Sequence, residues 1–378
     1  LNDNIKAIET AFILDREQRT PTARERLLLE RYCGFGGLKC ILNPARELAD
    51  AVHWAKSDLE LFAPTVELHR LIRENSKNES EYKQLMDSLK QSVLTAFYTP
   101  SAVTEALTDV LKEHQIIPEK VLEPSAGIGA FVDSVLDNNP KADIMAFEKD
   151  LLTGKILRHL HPEQKVRIEG FEKIEKPFND YFDLAISNIP FGDVAVFDPS
   201  YTAMKGMRAL VTRRIHNYFF VKALDTVRDG GLVAFITSQG VLNAKNNSAA
   251  RFMMLYHADL VSAIRLPNNL FTENANTEVG SDLIILQKNT QKESLRGDDN
   301  LLDTVYNDEN RIPTNNYFLE HPERIIHSTA KLDTDPFGKP AMIYTHEDGV
   351  EGIAEDLRKM LHEDFKKNLN LNRYLGIE

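Results

Sequence analysis

Glu123-Pro-Ser-Ala-Gly-Ile-Gly-Ala-Phe131 is the stretch on which the reading of this chain turns. It follows the apolar pair Val121-Leu122, a short strand, and opens a helix. Gly127 and Gly129 carry no Cβ, so the backbone can approach a ligand closely. The dinucleotide fingerprint needs a third glycine three residues on, and Val132 stands there, which disfavours a pyrophosphate. Glu123 lies at the mouth of the first strand. Glu148 closes the next strand, where a carboxylate bonds ribose hydroxyls. Two acids around the turn suit a cationic, ribose-bearing ligand.

Outward from this turn, short apolar runs alternate with helical ones. Ile144–Phe147, Phe182–Ile186, Gly231–Ile236, Val261–Ile264 and Leu283–Leu286 read as strands, with a third strand expected before Gly170. Tyr218–Val227 reads as a helix. The pattern is an α/β sheet covered on both faces. Before it, residues 1–93 lack any strand signal. Ile5, Ile8 and Phe12 mark one helix, and Thr22 with Glu25 is a capping box. Gly34–Gly37 reads as a flexible turn, and 46–92 as continuing charged helix. Thr99-Pro100 starts another helix. Residues 289–316 are polar and read as a linker or long loop. Ile353, Leu357, Leu361 and Phe365 form a last amphipathic helix. Three units result: a helical domain over 1–93, a catalytic domain over 94–290, and a carboxy-terminal extension over 291–378.

The second chemistry-bearing stretch is Ser187-Asn188-Ile189-Pro190-Phe191, directly after an apolar strand. Open α/β sheets bind ligands at the carboxyl ends of their strands. Asn188 offers one acceptor and two donors. Pro190 fixes the backbone, and Phe191 offers a flat surface for a base. His216, beside an aromatic run, is expected to be a packed or capping residue.

Composition sets the bounds. The 378 residues are 42% hydrophobic and 27% charged, enough apolar material for a core. A net charge of −12 excludes a uniformly basic nucleic-acid coat but not a local patch. Lys205, Arg208, Arg213 and Arg214 form such a patch, with no acid between residues 201 and 214. Cys33 and Cys40 are too few for a disulfide framework or a Cys-rich zinc site, which fits reduced thiols in the cytoplasm. No secretory signal or membrane-length apolar run is visible. The chain starts with Leu rather than Met, so a piece of something longer or an engineered start is expected.

Together the motifs resemble the adenine-specific DNA methyltransferases that place the cofactor motif before the catalytic one. In order they are Phe97-Tyr98-Thr99-Pro100, Glu123 to Phe131, Glu148, and Asn188-Ile189-Pro190-Phe191. The chain is most similar to methylase modules of phage and mobile-element helicase–methylase proteins, through Ile215–Phe219, Asp229–Gly231, Ala263–Pro267 and Thr277–Val279. The tetrapeptide departs from the family at Ile189, where proline is usual.

The resemblance implies a Rossmann-like, mostly parallel seven-stranded sheet and S-adenosylmethionine as cofactor. Phe97, Tyr98, Thr99, Pro100, Glu123, Pro124, Ser125, Gly127, Gly129, Phe131, Glu148 and Glu172 would line the cofactor site. Asn188, Ile189, Pro190 and Phe191 would act on the N6 amine of a flipped adenine, with no metal. DNA is the implied partner, with a helicase or specificity module beside it and no membrane. The same tetrapeptide also serves methylation of RNA bases or of protein glutamine. A non-catalytic DNA-binding or helicase-accessory module would carry Ile189 as its symptom.

Overall fold

The structure is a computed structural model that describes residues 1–272, 279–295, 297, 299–306, 311–335 and 338–377. Thr277 and Glu278, which carry part of the resemblance, lie outside the described residues. Seven strands form one sheet: β1 (Lys120–Glu123), β2 (Asp143–Phe147), β3 (Lys165–Arg167), β4 (Phe182–Asn188), β5 (Val227–Ser238), β6 (Ala258–Leu266) and β7 (Ser281–Lys288). Their order is β3-β2-β1-β4-β5-β7-β6. The strands from β3 to β5 pair in parallel, and β7 runs antiparallel between β5 and β6.

Alternation along each strand builds a core on each face. On β4, Leu184 and Ile186 join one apolar cluster, while Ala185 joins the other. Helices α5 (Ser101–Glu113) and α6 (Ala130–Asn138) pack on the first face. They are joined there by the carboxy-terminal helix Gly349–Asn368, through Ile353, Leu357, Leu361 and Phe365. Helices α10 (Ile215–Thr226) and α12 (Ser248–His257) cover the second face. From β1 the chain moves outward to β2 and β3, then crosses back to β4 on the other side of β1. That reversal opens a crevice at the carboxyl ends of β1 and β4, the place where open sheets bind ligands.

The amino-terminal helices α1 (Asn2–Glu17), α2 (Ala23–Glu30), α3 (Phe62–Glu74) and α4 (Glu79–Thr95) share a core with α7 (Leu151–Leu160). The capping box at Thr22 and Glu25 forms as expected. The expected long charged helix does not run through its first part: Leu48–His53 and Lys56–Leu61 are 3-10 turns. Asp50 accepts the N–H groups of Arg46 and Glu47 at 2.7 and 3.1 Å, and Trp54 Nε1 donates to the Pro44 carbonyl at 2.9 Å. These bonds fold the segment back on itself.

The expected loop over 289–316 is also more ordered than its composition suggests. It holds β8 (Thr304–Tyr306) paired with β9 (Pro313–Asn315). The cause is buried polarity: Arg251 donates to the Leu302 carbonyl at 3.0 and 2.9 Å, and Asn315 Nδ2 to the Leu242 and Leu301 carbonyls at 2.7 and 2.9 Å. A further hairpin, β10 (Thr329–Thr334) with β11 (Pro340–Thr345), had no signal in the sequence reading. Among the described residues no helix is long and apolar enough to cross a membrane.

One buried ion pair ties the antiparallel end of the sheet. Arg265 on β6 meets Asp282 on β7 through Nε at 2.8 Å and Nη2 at 3.0 Å, and both side chains are almost fully buried. Removing one partner of such a pair strands a charge in low dielectric. Asp282→Ala is therefore expected to destabilise the protein by about 3–5 kcal/mol, read as a lowered midpoint in urea unfolding.

Candidate functional site

The glycine turn joins β1 to α6. Gly127 (φ +56°) and Gly129 (φ +87°) both adopt left-handed backbone, which explains their glycines locally. Space adds a second reason. A Cβ on Gly127 would lie 2.8 Å from Tyr98 Cε1, and one on Gly129 2.6 Å from Leu157 Cδ1. The glycine motif thus accepts the Tyr98 ring of the amino-terminal motif. The same ring sits against Gly34, where a Cβ would be 2.8 Å from the Tyr98 hydroxyl. The Gly34–Gly37 stretch, read as a flexible turn, is a close approach. Asn4 Nδ2 also donates to the Gly34 carbonyl at 2.6 Å.

Glu148 holds this turn. Its Oε2 accepts the Gly127 N–H at 2.7 Å and its Oε1 the Asp150 N–H at 2.9 Å. A carboxylate has about four lone-pair sites, so two remain for ligand hydroxyls. Burial, and then the charge of Asp150, push Glu148 up to about 7. Glu123 corrects the sequence reading. It is 2% exposed, and its Oε1 accepts the Ser125 N–H at 2.9 Å. Burial pushes it up to about 8, against the lowering effect of hydrogen bonds from Ser187 and Ser125. It braces the turn from below, and near neutral pH it carries little of the negative charge assigned to it.

The remaining expected cofactor contacts divide. Thr99 is buried, and its Oγ1 has no partner, an orphaned polar atom that suits a bound polar ligand. Phe97 is partly buried against the core. Pro100 caps α5. Pro124 is buried in the turn. Phe131 is 3% exposed and belongs to the core beneath the sheet, so its side chain is structural. Glu172 stands on a turn after β3, its carboxylate folded back over Gly170.

The tetrapeptide ends β4, beside β1 on one side and β5 on the other. Asn188 Nδ2 donates to the Phe97 carbonyl at 2.9 Å, joining the tetrapeptide and the amino-terminal motif directly. Ile189 is 2% exposed and packs in the core, and its N–H donates to the Ile236 carbonyl at 3.0 Å. A proline has no N–H, so the family's usual residue could not make this bond. Ile189 therefore acts through its backbone, and its side chain is not a site group. Phe191 is partly exposed and held edge-on by Phe271, with ring centroids 6.4 Å apart.

The basic loop is only partly available. It carries α8 (Pro199–Thr202) and α9 (Gly206–Val211). Arg208 turns inward to Asp225 and Tyr201, which corrects its assignment as a phosphate contact. Arg214 pairs with exposed Asp193 at 2.9 Å. Lys205 and Arg213 are exposed. His216 is 3% exposed and pushed down to about 4 by burial, so it is a neutral packed residue, as expected.

A layer of supporting residues escaped the sequence reading. Tyr32 and Thr153 share a hydrogen bond of 2.9 Å between their hydroxyls. Ser88 bonds the Asp150 carboxylate and accepts the Leu152 N–H at 3.0 Å. An Asp just before Leu151-Leu152 is a capping signal that could have marked Asp150; its partner on α4, Ser88, left no such signal, because it lies 62 residues away in sequence. An open cleft of about 910 Å³ flanks the amino-terminal motif, with Tyr32, Tyr98, Thr99, Ile128 and Val350 in its wall.

Glu123 gives a test of this electrostatics. An acid raised in the folded state stabilises only while protonated, so stability falls as pH rises from the unfolded carboxyl range through about 8. Glu123→Gln removes that loss. The variant's melting temperature, relative to the parent, is expected to rise by a few degrees from pH 5 to pH 9 in thermal melts at matched ionic strength.

Parts of the chain are similar to known proteins. A 201-residue stretch is 29% identical to Defense against restriction protein B of Escherichia phage P1, covering 52% of this chain and 8% of that protein. A 173-residue stretch is 25% identical to Type II methyltransferase M.XamI of Xanthomonas campestris pv. amaranthicola, covering 42% of this chain and 33% of that protein. The chain thus spans a third or less of the length of these relatives. Among solved structures, a protein assigned as a class I S-adenosylmethionine-dependent methyltransferase from Listeria monocytogenes aligns over 77% of this chain and 89% of its own, with 16% identity and a TM-score of 0.45. The ATP-dependent Type ISP restriction-modification enzyme LlaBIII bound to DNA aligns over 97% of this chain and 27% of its own, with 11% identity and a TM-score of 0.45. The N-6 DNA Methylase family model matches residues 80–343, which contain the glycine turn, Glu148 and the tetrapeptide; the chain belongs to that family.

Proposed function

We propose that this chain methylates the N6 amine of adenine in DNA, on a base flipped out of the duplex, by direct in-line transfer. S-adenosylmethionine, the cofactor of the family, supplies an electrophilic methyl group when bound. Glu148, the backbone at Gly127 and the orphaned Thr99 hydroxyl are the groups that would hold it.

The observation that carries the reading is the fixed amide of Asn188. Its Nδ2 is committed to the Phe97 carbonyl, so Oδ1 is the end left to accept a hydrogen. Adenine's exocyclic nitrogen is a poor nucleophile because its lone pair is delocalised into the ring. Accepting its hydrogens at Asn188 Oδ1 and a neighbouring backbone carbonyl favours a pyramidal nitrogen and holds it for in-line attack. On gaining the methyl carbon, whose bond to the sulfonium sulfur would break to release a neutral thioether, the nitrogen sheds one proton. An amide is no base, so that proton leaves to solvent. Phe191 offers the open part of its half-buried ring as a stacking surface for the extruded base.

Ile189 supports activity over a spent scaffold. Its side chain lies in the core and its N–H is paired, so the departure from proline leaves the adjoining Asn188 and Phe191 in place. A helicase or specificity module belongs to this proposal as a further partner.

Asn188→Ala is expected to cut methyl transfer by about 10²-fold or more while cofactor affinity stays near the parent's. Tritiated-methyl incorporation into DNA, paired with calorimetry of cofactor binding, checks both halves. A variant that turns over like the parent overturns the catalytic assignment.

Cofactor binding should also follow Glu148. Only the carboxylate form accepts two ribose hydroxyls, and this group is pushed up to about 7. Affinity is expected to rise by about tenfold between pH 6 and pH 8. In Glu148→Gln it should be weaker and much flatter over that range, measured by calorimetry in buffers of equal ionic strength.

A further inference from the structure

We propose that Phe197 is the side chain that fills the gap left in a DNA duplex when the target base leaves the stack. This rests on the DNA-adenine reading above and assigns it a group outside the tetrapeptide. Phe197 is 80% exposed, well above the other exposed aromatic rings among the described residues, Phe252, Tyr256 and Tyr306, at 37, 53 and 57%.

Its exposure does not come from a slack backbone. On one side, the Val196 N–H donates to the Thr212 carbonyl at 2.7 Å. On the other, Asp198 is 4% exposed and fully engaged. Its Oδ1 accepts the Ser200 N–H at 3.0 Å and the Ser200 hydroxyl at 2.6 Å. Its Oδ2 accepts the Tyr218 hydroxyl at 2.6 Å and Lys222 Nζ at 3.2 Å. Tyr218 and Lys222 belong to α10, which packs on the sheet. The residues on both sides of Phe197 are therefore pinned to the body of the fold while its ring faces solvent. A ring presented in this way loses little entropy on insertion.

Position and charge select the occupant. Phe197 follows Phe191 by six residues, which span at most about 20 Å, so a duplex over the tetrapeptide reaches this loop. Lys205 and Arg213 stand exposed on the same segment, and no acid occurs from residue 199 to 214. The two acids nearby are spoken for: Asp193 pairs with Arg214, and Asp198 is buried. Val194, Met204, Met207 and Leu210 are exposed on the same loop, and Phe197 is its one exposed aromatic ring. An aromatic tip among cations matches a polyanion with an apolar, stacked interior, which is a duplex opened at one base step. Apolar wedges of this kind offset unstacking by replacing the lost neighbour.

The test compares methylation of one plasmid sequence as duplex and as denatured single strand, for parent, Phe197→Ala and Phe197→Leu. A single strand has no gap to fill. The ratio of duplex to single-strand rates is expected to fall about tenfold or more in Phe197→Ala and to recover substantially in Phe197→Leu, which keeps an apolar wedge. An unchanged ratio, whether both rates hold or both fall together, overturns the proposal. A parent that methylates neither form sinks the DNA reading itself, and the wedge with it. Incorporation by the parent thus separates the two failures.

Discussion

Everything in the site hangs on one carboxylate with two backbone donors. Glu148 takes the Gly127 N–H on one oxygen and the Asp150 N–H on the other, so a single side chain joins the glycine turn to the start of α7. Burying a carboxyl without donors is costly, and the layer behind it is polar for the same reason. Asp150 caps α7 at Leu152 and is itself held by Ser88 and Thr153. Thr153 is tied to Tyr32. This chain of hydrogen bonds runs from the ligand crevice into α4 and the segment after α2. It explains why the amino-terminal helices share a core with α7 rather than forming a detached body.

The second constraint is the meeting of three motifs at the reversal between β1 and β4. Tyr98 packs against Gly127 and Gly34, and Gly36 lets the backbone pass the Ala96 carbonyl, where a Cβ would be 2.5 Å away. Phe97, next in the chain, gives its carbonyl to Asn188. A short segment before α5 thereby touches the amino-terminal helices, the glycine turn and the tetrapeptide. The segment thus links the glycine turn and the tetrapeptide, a link that no single motif displays.

The fold was legible where local pattern decides it. Each strand of the sheet except β3, whose Lys-Val-Arg carries a single apolar residue, was marked by a short apolar run, and the glycine turn and tetrapeptide stood at strand ends. What sequence could not supply was depth and distant partners. Glu123 reads as a charged acid at a strand mouth, yet burial leaves it near neutral. Phe131 closes the motif and reads as a ligand contact, yet helical periodicity turns it into the core. Arg208 belongs to a run without acids, and Asp225, seventeen residues on and across a helix, takes it out of the surface. The order within 289–316 comes from Arg251 and Asn315, whose partners lie far off along the chain. Such errors share one cause: a residue's role was inferred from neighbours in sequence when a neighbour in space decided it.

The loss of Arg208 and the pairing of Arg214 also change how this protein could hold DNA. A net charge of −12 opposes a polyanion at long range. Of the four cations in 201–214, only Lys205 and Arg213 are both exposed and outside the ion pairs just described. Two phosphate contacts are few beside the six to ten or so of a typical salt-sensitive binder. The loop can orient a duplex over the tetrapeptide, but it is too weakly charged to supply the affinity. On the DNA reading, the loop therefore acts after capture, by shape and by an apolar point, while the charge that first holds the duplex belongs to groups outside it. That division also suits the chemistry. On the same reading, flipping would need a rigid feature beside the tetrapeptide, and rigidity there comes from Asp198 and its partners on α10, not from positive charge.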